Sequence, residues 1–320
     1  MKAKENRGQG NSRLWVIPLI IVVSVIAVFS IDKIGFGGVA DNDPVEPGEK
    51  SYYAIFPFEV PEQIAFAGEK VPVGYFDVYE SLDRELLSNT FFHSQTIRMI
   101  KMANRYFPQI EPILAAEGIP DDFKYLAIAE SNLSNAVSPA GAVGFWQLLK
   151  GTGHDYGLEI NSEVDERYHL EKSTVLACRY IRESYEKYLN WTMAAASYNA
   201  GRRGIDRQLT RQKETDYYDL LLNEETARYI FRILAIKLIM EDPAAYGFHL
   251  SKQDLYQPIA YDVVAVNGPV TDFADFAKQH NTNYKMLKFL NPWLRDNNLT
   301  NSQGKTYEIR VPQPHAREMR

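Results

Sequence analysis

The sequence IAESNLSNAVSPAGAVGFWQ, residues 128–147, is the most informative stretch of this chain, because it joins the end of an apolar helix to a glycine-rich loop. A helix start is predicted at Pro120–Asp122, since proline and acidic residues favour a first helical turn. Phe123, Leu126 and Glu130 then recur at helical spacing. The pattern therefore predicts that Glu130 lies in the last turn of this helix.

Glu130 has neighbours that favour its protonated form. The negative end of the helix dipole and the apolar residues Leu126, Ile128 and Ala129 all disfavour a charged carboxylate, so its pKa is expected to be raised. The next carboxylate along the chain is Asp155, so no catalytic pair of carboxylates is visible locally, although a partner can come from elsewhere in the fold. We therefore predict a site with a single acid.

Four blocks of residues link the chain to one enzyme family. They are Glu130–Ser131, Ser138–Ala142, Gly144–Gln147 and Ala196–Gly201. Together they resemble the signature blocks of the lytic transglycosylase (SLT, lysozyme-like) family, and the layout is similar to its membrane-bound lytic murein transglycosylase D group. The resemblance covers residues 82–250, with one departure: Leu148–Lys150 stands where the family usually has Met-Pro.

The resemblance implies an enzyme that cleaves peptidoglycan without consuming water. Glu130 would protonate the glycosidic oxygen between N-acetylmuramic acid and N-acetylglucosamine, and the substrate's 2-acetamido oxygen would capture the cationic centre. The same Glu130, now ionised, would take the proton of the muramic acid 6-hydroxyl as a 1,6-anhydro ring closes. Two alternatives stay open: a non-catalytic peptidoglycan-binding scaffold, and a lysozyme-type hydrolase of the same fold in which water replaces the 6-hydroxyl.

The same blocks supply the candidate substrate-binding residues. Ser138, Gln147 and Tyr198 match family positions that hold the acetamide and the sugar hydroxyls, and Ser131 and Asn199 complete the set. Several have structural alternatives. Ser138 can order a turn, Gln147 can tie down backbone, and Tyr198 can belong to the core; Asn199 can serve the end of a helix.

The composition narrows the possible ligands. The chain has 320 residues, 45% hydrophobic and 24% charged, enough for one sizeable core and a smaller companion domain. A net charge of -6 offers no basic surface for phosphate backbones, so no nucleic acid partner is expected. Cys178 is the single cysteine and the histidines form no ligand pattern, so neither a disulfide nor a metal is expected, and no cofactor is predicted.

The N-terminal region predicts the compartment. Residues 14–31 form an apolar run within the ~17 to 25 residues needed to span a bilayer, and basic residues precede it. We predict a cytoplasmic tail at 1–13, a transmembrane signal anchor at 14–31, and a catalytic domain exported from the bacterial inner membrane into the periplasm or cell-wall space. A cleaved signal peptide is the alternative, but its apolar region is usually shorter.

Residues 32–81 are predicted to be a linker or an arm. Their glycines, prolines and acids suit an extended tether. An aromatic cluster within them, formed by Tyr52, Tyr53, Phe56 and Phe58, instead favours an arm packed on the main domain.

The rest of the chain divides by its periodicity. Residues 82–250 are helical, with three- and four-residue spacing in Ile97–Tyr106, Leu170–Leu189 and Tyr229–Met240, the last expected only to fill the core. Residues 251–320 change pattern and are similar to a LysM carbohydrate-binding module, although Gly268–Pro269 departs from the usual helix entry. The elements expected there are strand Tyr261–Val266, helices Phe273–His280 and Tyr284–Leu290, and strand Tyr307–Val311.

The predicted fold class is therefore mainly α. It combines a lysozyme-like helical catalytic domain, a small α+β LysM-like C-terminal domain and an N-terminal transmembrane helix. The expected partners are peptidoglycan glycan strands and, through the N-terminal helix, the membrane. The C-terminal domain either binds glycan or only packs on the catalytic domain.

Overall fold

The structure, a computed structural model, describes residues 57–318. Most of this part is a helical lobe, as the mainly α prediction expected. The helices of the lobe are α1 (Phe76–Phe91), α2 (His93–Ala116), α3 (Lys124–Ser131), α4 (Lys150–Asp155), α5 (Leu170–Tyr188), α6 (Trp191–Ala200), α7 (Arg202–Gln212) and α8 (Glu224–Glu241). Helix α1 begins before residue 82, where the sequence pattern placed the start of the catalytic domain.

Residues 57–81 pack on this lobe, so the tether interpretation does not apply to them. Strands β1 (Ala65–Phe66) and β2 (Glu69–Lys70) form an antiparallel hairpin. Phe66 is fully buried, and its ring centroid lies 5.2 Å from that of Phe123. For residues 57–81, the structure agrees with the packed arm, one of the two interpretations that the sequence left open.

The hairpin also supports a helix that ends near the candidate site. The Glu69 carboxylate accepts hydrogen bonds from the backbone N–H groups of Trp191 (2.5 Å) and Thr192 (2.8 Å). These are first-turn donors of α6, which have no partner inside the helix, and a negative charge there complements the helix dipole. The arm is therefore part of the lobe's framework.

The predicted tail (1–13), transmembrane anchor (14–31) and linker up to residue 56 lie outside the described residues. Among residues 57–318, no helix has the length and apolar character needed to cross a membrane.

Helix α3 ends immediately after Glu130, as its sequence predicts. Asn132 and Leu133 adopt left-handed backbone conformations, with φ of 51° and 52°. Asparagine tolerates this conformation well, and the Asn132 N–H closes the helix on the Ile128 carbonyl at 2.8 Å. The chain then turns into the glycine-rich loop.

Helix α8 runs through the centre of the lobe and packs against α1, α3 and α6. Its apolar residues Ile230, Ile233, Leu234 and Ala235 are fully buried, which confirms the prediction that this helix is core. Its Tyr229 has a further contact that the prediction missed and that belongs to the candidate site.

The C-terminal module contains the four elements expected from the sequence, in the expected order. Strand β3 (Tyr261–Val266) pairs antiparallel with β4 (Tyr307–Pro312), with Tyr261 opposite Pro312 and Val266 opposite Tyr307. Helices α9 (Phe273–Gln279) and α10 (Tyr284–Leu290) lie between the strands in sequence.

The module shares its hydrophobic cluster with the lobe. Val143, Val164 and Tyr168 of the lobe pack in the same cluster as Phe273 and Ile309 of the module. Val143 belongs to the glycine-rich loop, so the module packs directly against a signature block of the helical lobe.

Candidate active site

Glu130 is the centre of the candidate site. It lies in the last turn of α3, behind the fully buried residues Leu126, Ala127 and Ile128. The hydroxyl of Tyr229, on α8, donates a hydrogen bond to Glu130 Oε1. The Oε2 atom has no hydrogen-bond partner among residues 57–318 and is not one of the fully enclosed polar atoms, so it keeps some exposed surface.

Burial is the largest influence on this carboxyl group. It raises the pKa of Glu130 to about 7, and the negative charge of Glu225 acts in the same direction. The Tyr229 hydrogen bond and the Arg232 guanidinium oppose the rise, because both stabilise the carboxylate. Both protonation states of Glu130 are therefore populated near neutral pH.

The loop after α3 is held by hydrogen bonds to its own backbone. Ser131 Oγ donates to the Phe145 carbonyl at 2.8 Å and is buried, so it ties the helix end to the far end of the loop. Ser138 Oγ accepts a hydrogen bond from the Ala142 N–H at 3.1 Å, which orders the turn. Its hydroxyl proton is left to donate elsewhere.

Gln147 also braces this loop. Its Nε2 donates to the carbonyls of Ala136 (3.1 Å) and Gly144 (2.9 Å), and its own backbone has φ of 46°. The side-chain nitrogen is therefore engaged by backbone. Its Oε1 accepts no hydrogen bond from any residue between 57 and 318, so that end can accept one from a ligand.

Tyr198 stands on α6, beside the loop. Its hydroxyl donates to the Trp146 carbonyl at 2.7 Å, and its ring meets that of Tyr180 edge to face with centroids 5.4 Å apart. Burial raises the pKa of Tyr198 well above its ordinary value, and the nearby Glu130 charge adds to the rise. The structure therefore brings Tyr198 into the electrostatic surroundings of Glu130.

Asn199 faces the start of α8. Its Oδ1 accepts a hydrogen bond from Thr226 Oγ1 at 2.9 Å, and its Nδ2 donates to Glu225 Oε1 at 3.3 Å. It thus joins α6 to the helix that carries Tyr229. Glu130, Ser131, Ser138 and Gln147 meet through α3 and the loop, whereas Tyr198 and Asn199 reach the site from α6.

Two family models match the chain. The model of the transglycosylase SLT domain matches residues 111–221, which include Glu130, the loop and Tyr198. Over these residues the helical lobe is similar to a transglycosylase SLT domain. A second model, the soluble lytic transglycosylase C-terminal LysM-like domain, matches residues 262–315. The resemblance predicted from the signature blocks is thereby confirmed.

Curated relatives extend this similarity across most of the chain. The chain is 28% identical over 265 residues to the membrane-bound lytic murein transglycosylase D of Escherichia coli strain K12, and equally to that of Escherichia coli O6:H1. The alignment covers 80% of this chain but 57% of each relative. The chain thus spans little more than half the length of the curated relatives it matches.

One glycine of the SLT domain is required by its neighbours. Gly144 has φ of +81°, and a Cβ at this position would lie 2.3 Å from the Arg167 carbonyl oxygen. The close neighbour is therefore the protein's own backbone. Gly141, with φ of +77°, has open space at the same position.

Arg167 is the second residue that holds the SLT loop. It forms a buried salt bridge with Asp165 at 2.7 Å, and its Nη1 donates to the carbonyls of Gly141 and Leu148, each at 3.2 Å. The Asp165 carboxylate therefore holds the guanidinium that ties both ends of the loop together.

Tyr229 is the functional candidate that sequence reasoning missed. Its helix is apolar around it, and nothing in its local pattern distinguishes a core tyrosine from one that contacts an acid 99 residues earlier. Arg232, on the same helix, also influences Glu130 and was likewise not predicted from the sequence. It lies 3.8 Å from the buried Glu85 of α1, whose carboxylate also accepts a hydrogen bond from Arg228 Nε at 2.6 Å.

Two further residues of the matched segment, Trp146 and Cys178, lie in the core. Trp146 is 0% exposed and donates from Nε1 to Thr174 Oγ1 at 2.8 Å, so it cannot stack on a sugar. Cys178 is buried, and burial raises the pKa of its thiol to about 12, which makes it unreactive at neutral pH. Within the described part of the chain, no three His, Cys, Asp or Glu side chains lie where they could hold one metal ion together.

Proposed function

We propose that this chain is a peptidoglycan lytic transglycosylase that cleaves the β-1,4 bond between N-acetylmuramic acid and N-acetylglucosamine. The observation that carries the proposal is Glu130: a carboxyl group with a pKa of about 7, hydrogen bonded to Tyr229, in a domain that matches the SLT family. A group with this pKa can serve as an acid and then as a base at neutral pH.

Glu130 performs both proton transfers in this proposal. Tyr229 occupies Oε1, so the open Oε2 is the atom that gives a proton to the glycosidic oxygen. The substrate's acetamido oxygen captures the cationic centre, which replaces a second catalytic carboxylate. Oε2 of the ionised Glu130 then takes the proton of the muramic acid 6-hydroxyl as the 1,6-anhydro ring closes, and no water is consumed.

The candidate binding residues fit supporting roles in this reaction. We assign the Ser138 hydroxyl proton as a donor and Gln147 Oε1 as an acceptor for the acetamide and sugar hydroxyls, because these groups are left over after each residue has braced the loop. Tyr198 fixes the loop through the Trp146 carbonyl and retains an acceptor lone pair. Ser131 and Asn199 hold these elements in place.

Product analysis of purified cell-wall sacculi digested with the full chain tests the proposal. The expected products are lighter by one water, about 18 Da, than hydrolysis products, because ring closure replaces water addition. Glu130→Gln is expected to lower the rate by about 10³-fold or more with unchanged thermal unfolding. Glu186→Gln, an exposed carboxylate on α5, serves as the matched control.

The other outcomes identify the alternatives. Reducing ends in place of anhydro ends would mean a lysozyme-type hydrolase of the same fold. Binding to sacculi without any cleavage would mean a non-catalytic scaffold.

We also propose a location in the cell envelope. The curated relatives are described as membrane-bound, and residues 14–31 of this chain are apolar enough to anchor it. The SLT domain would then act on the peptidoglycan side, together with the arm of residues 57–81. The full chain is expected to sediment with membranes and to resist alkaline carbonate, whereas a chain without residues 1–31 is expected to be released.

A further inference from the structure

Helix α1 carries a buried carboxylate, Glu85, that has no part in the proposed reaction. It is 1% exposed and lies between Leu82 and Leu86, which are equally buried. A charged group at this depth costs free energy unless it is paired, and a well-paired buried ion often stabilises a fold no more than an apolar residue of the same size. Packing alone therefore does not explain a glutamate at this position.

Three arginines surround the Glu85 carboxylate. Arg228 of α8 donates a hydrogen bond from Nε to Oε1 at 2.6 Å, and Arg84 Nε lies 3.7 Å from the same oxygen. The other oxygen, Oε2, faces Arg232 of α8, whose Nε lies 3.8 Å away. One arginine is enough to neutralise Glu85, so the three together leave an excess of positive charge where α1 packs against α8.

Arg232 lies between this cluster and the candidate acid. It follows Arg228 by four residues and Tyr229 by three, and residues at these spacings are neighbours on a helix surface. Arg228 contacts Glu85, whereas Tyr229 donates a hydrogen bond to Glu130. The Arg232 guanidinium makes no hydrogen bond to any residue between 57 and 318, and its charge acts on Glu130 as well as on Glu85.

The ionisable groups near the two carboxylates overlap at one residue. Those near Glu130 are Glu225, Tyr229 and Arg232 of α8, Tyr198 of α6, and Arg98 of α2, which donates to the Asn132 carbonyl just beyond α3. Those near Glu85 are Arg84 of α1, Arg228 and Arg232 of α8, Tyr217 of the turn before α8, and the exposed Glu224, which pairs with Arg228. Arg232 belongs to both sets.

We propose that Glu85 is a positioning residue for Glu130. It attracts the Arg232 guanidinium towards α1 and so keeps this cation from pairing with Oε2 of Glu130, the oxygen that gives the proton in the proposed reaction. A full ion pair with Arg232 would hold Glu130 as a carboxylate, which cannot donate a proton. The inference rests on the proposed function for its purpose, but the arrangement of charges can be measured on the resting protein.

An NMR titration of the glutamate carboxyl groups in the isotope-labelled full chain tests the proposal, with Glu130→Gln used to identify the Glu130 signal. Glu85→Gln keeps the shape of the side chain and an acceptor for Arg228 but removes the charge. The pKa of Glu130 is expected to fall from about 7 by roughly half a unit, because Arg232 is released towards it. The alkaline limb of sacculus cleavage, where the acid loses its proton, should move to lower pH by the same amount.

The variant Arg232→Gln shows whether the effect passes through the arginine. Alone, it should raise the pKa of Glu130, because a nearby positive charge is lost. In the Arg232→Gln background, Glu85→Gln should no longer lower this pKa, because the cation that it positions is absent. Glu80→Gln, at an exposed acid of α1, is the matched control for the loss of one negative charge and should leave the Glu130 titration unchanged.

Two results would overturn the inference. An unchanged or raised pKa of Glu130 in Glu85→Gln would mean that Glu85 does not restrain Arg232. An equal fall in both backgrounds would mean that Glu85 acts on Glu130 through its own charge alone.

A second variant keeps the test valid if Glu85→Gln does not fold. Arg228→Gln, at a partly exposed residue, removes the arginine that occupies Glu85 Oε1. Glu85 then attracts Arg232 more strongly, so the pKa of Glu130 should rise, and an unchanged or lower value would contradict the proposal. Because the titration needs no turnover, a lack of cleavage by the unmodified chain would refute the proposed function while leaving this test intact.

Discussion

The segment of residues 128–147 and helix α8 meet at Glu130 but differ in how they act. Apart from Glu130 itself, the side chains of the segment mainly bind the segment's own backbone, as Ser131 and Gln147 do. Helix α8 supplies Tyr229, which donates a hydrogen bond to Glu130, and Arg232, whose charge lowers the pKa of Glu130. Residues 128–147, which carry the clearest sequence signature, mainly hold the loop in place. Helix α8, which carries no signature, shifts the pKa of Glu130.

This division predicts two kinds of mutational effect. Changes in the framework should reduce stability and activity together, because they deform the loop. Changes on α8 should shift the pH dependence of activity with little loss of stability. The comparison fails if both regions respond in the same way.

The largest effect is expected from Gly144→Ala. Its Cβ would meet the Arg167 carbonyl oxygen at 2.3 Å in a left-handed backbone conformation, so the loop or α5 entry must move. We expect the free energy of unfolding to fall by at least about 2 kcal/mol and cleavage to be lost. Denaturant unfolding and sacculus digestion measure the two effects.

Gly141→Ala is the matched control for this variant. It has a similar φ of +77° but open space at the Cβ position, so only the backbone strain of about 1 kcal/mol remains. Equal losses in the two variants would mean that contact with Arg167 does not determine the loop.

A smaller and different effect is expected from Tyr229→Phe. The hydroxyl stabilises the Glu130 carboxylate, so its removal raises the pKa of Glu130 further above about 7. The alkaline limb of the kcat profile, where the acid loses its proton, should move up by about one pH unit. We expect kcat at its optimum to fall about tenfold, because the carboxyl group loses its orientation.

Tyr217→Phe tests whether this shift is specific to Glu130. The Tyr217 hydroxyl is also buried and donates to the Thr226 and Ala227 carbonyls of α8. Its removal should reduce stability without moving the pH profile. A shift of equal size in both variants would assign the effect to α8 as a whole.

The smallest effect is expected from Glu225→Gln. This exposed carboxylate raises the pKa of Glu130 through its charge, so the variant should move the alkaline limb to lower pH, by roughly 0.3 unit. High salt should abolish the difference, since exposed charges are screened. Glu224→Gln, the neighbouring exposed acid, is expected to leave the limb in place, and an equal shift there would rule out a specific role for Glu225.

Periodicity and signature blocks predicted much of the fold. The end of α3 after Glu130, the helices of the lobe and the four elements of the C-terminal module follow from local patterns of apolar residues, which repeat within a few positions. The arm of residues 57–81 was harder to predict, because its burial depends on Phe66 meeting Phe123, a contact between residues far apart in the chain.

The sequence by itself determined the candidate acid, its position at a helix end and the resemblance of the domain to the SLT family, because each depends on residues close together in the chain. The tertiary structure alone decided the pKa of that acid, since Tyr229, Arg232 and Glu225 come close to Glu130 only when α8 packs against α3. It likewise decided that residue 144 must be a glycine to leave room for the Arg167 carbonyl, and that a pocket lined by charged residues lies between lobe and module. Burial and long-range charge depend on which elements pack together, and local sequence patterns do not specify that.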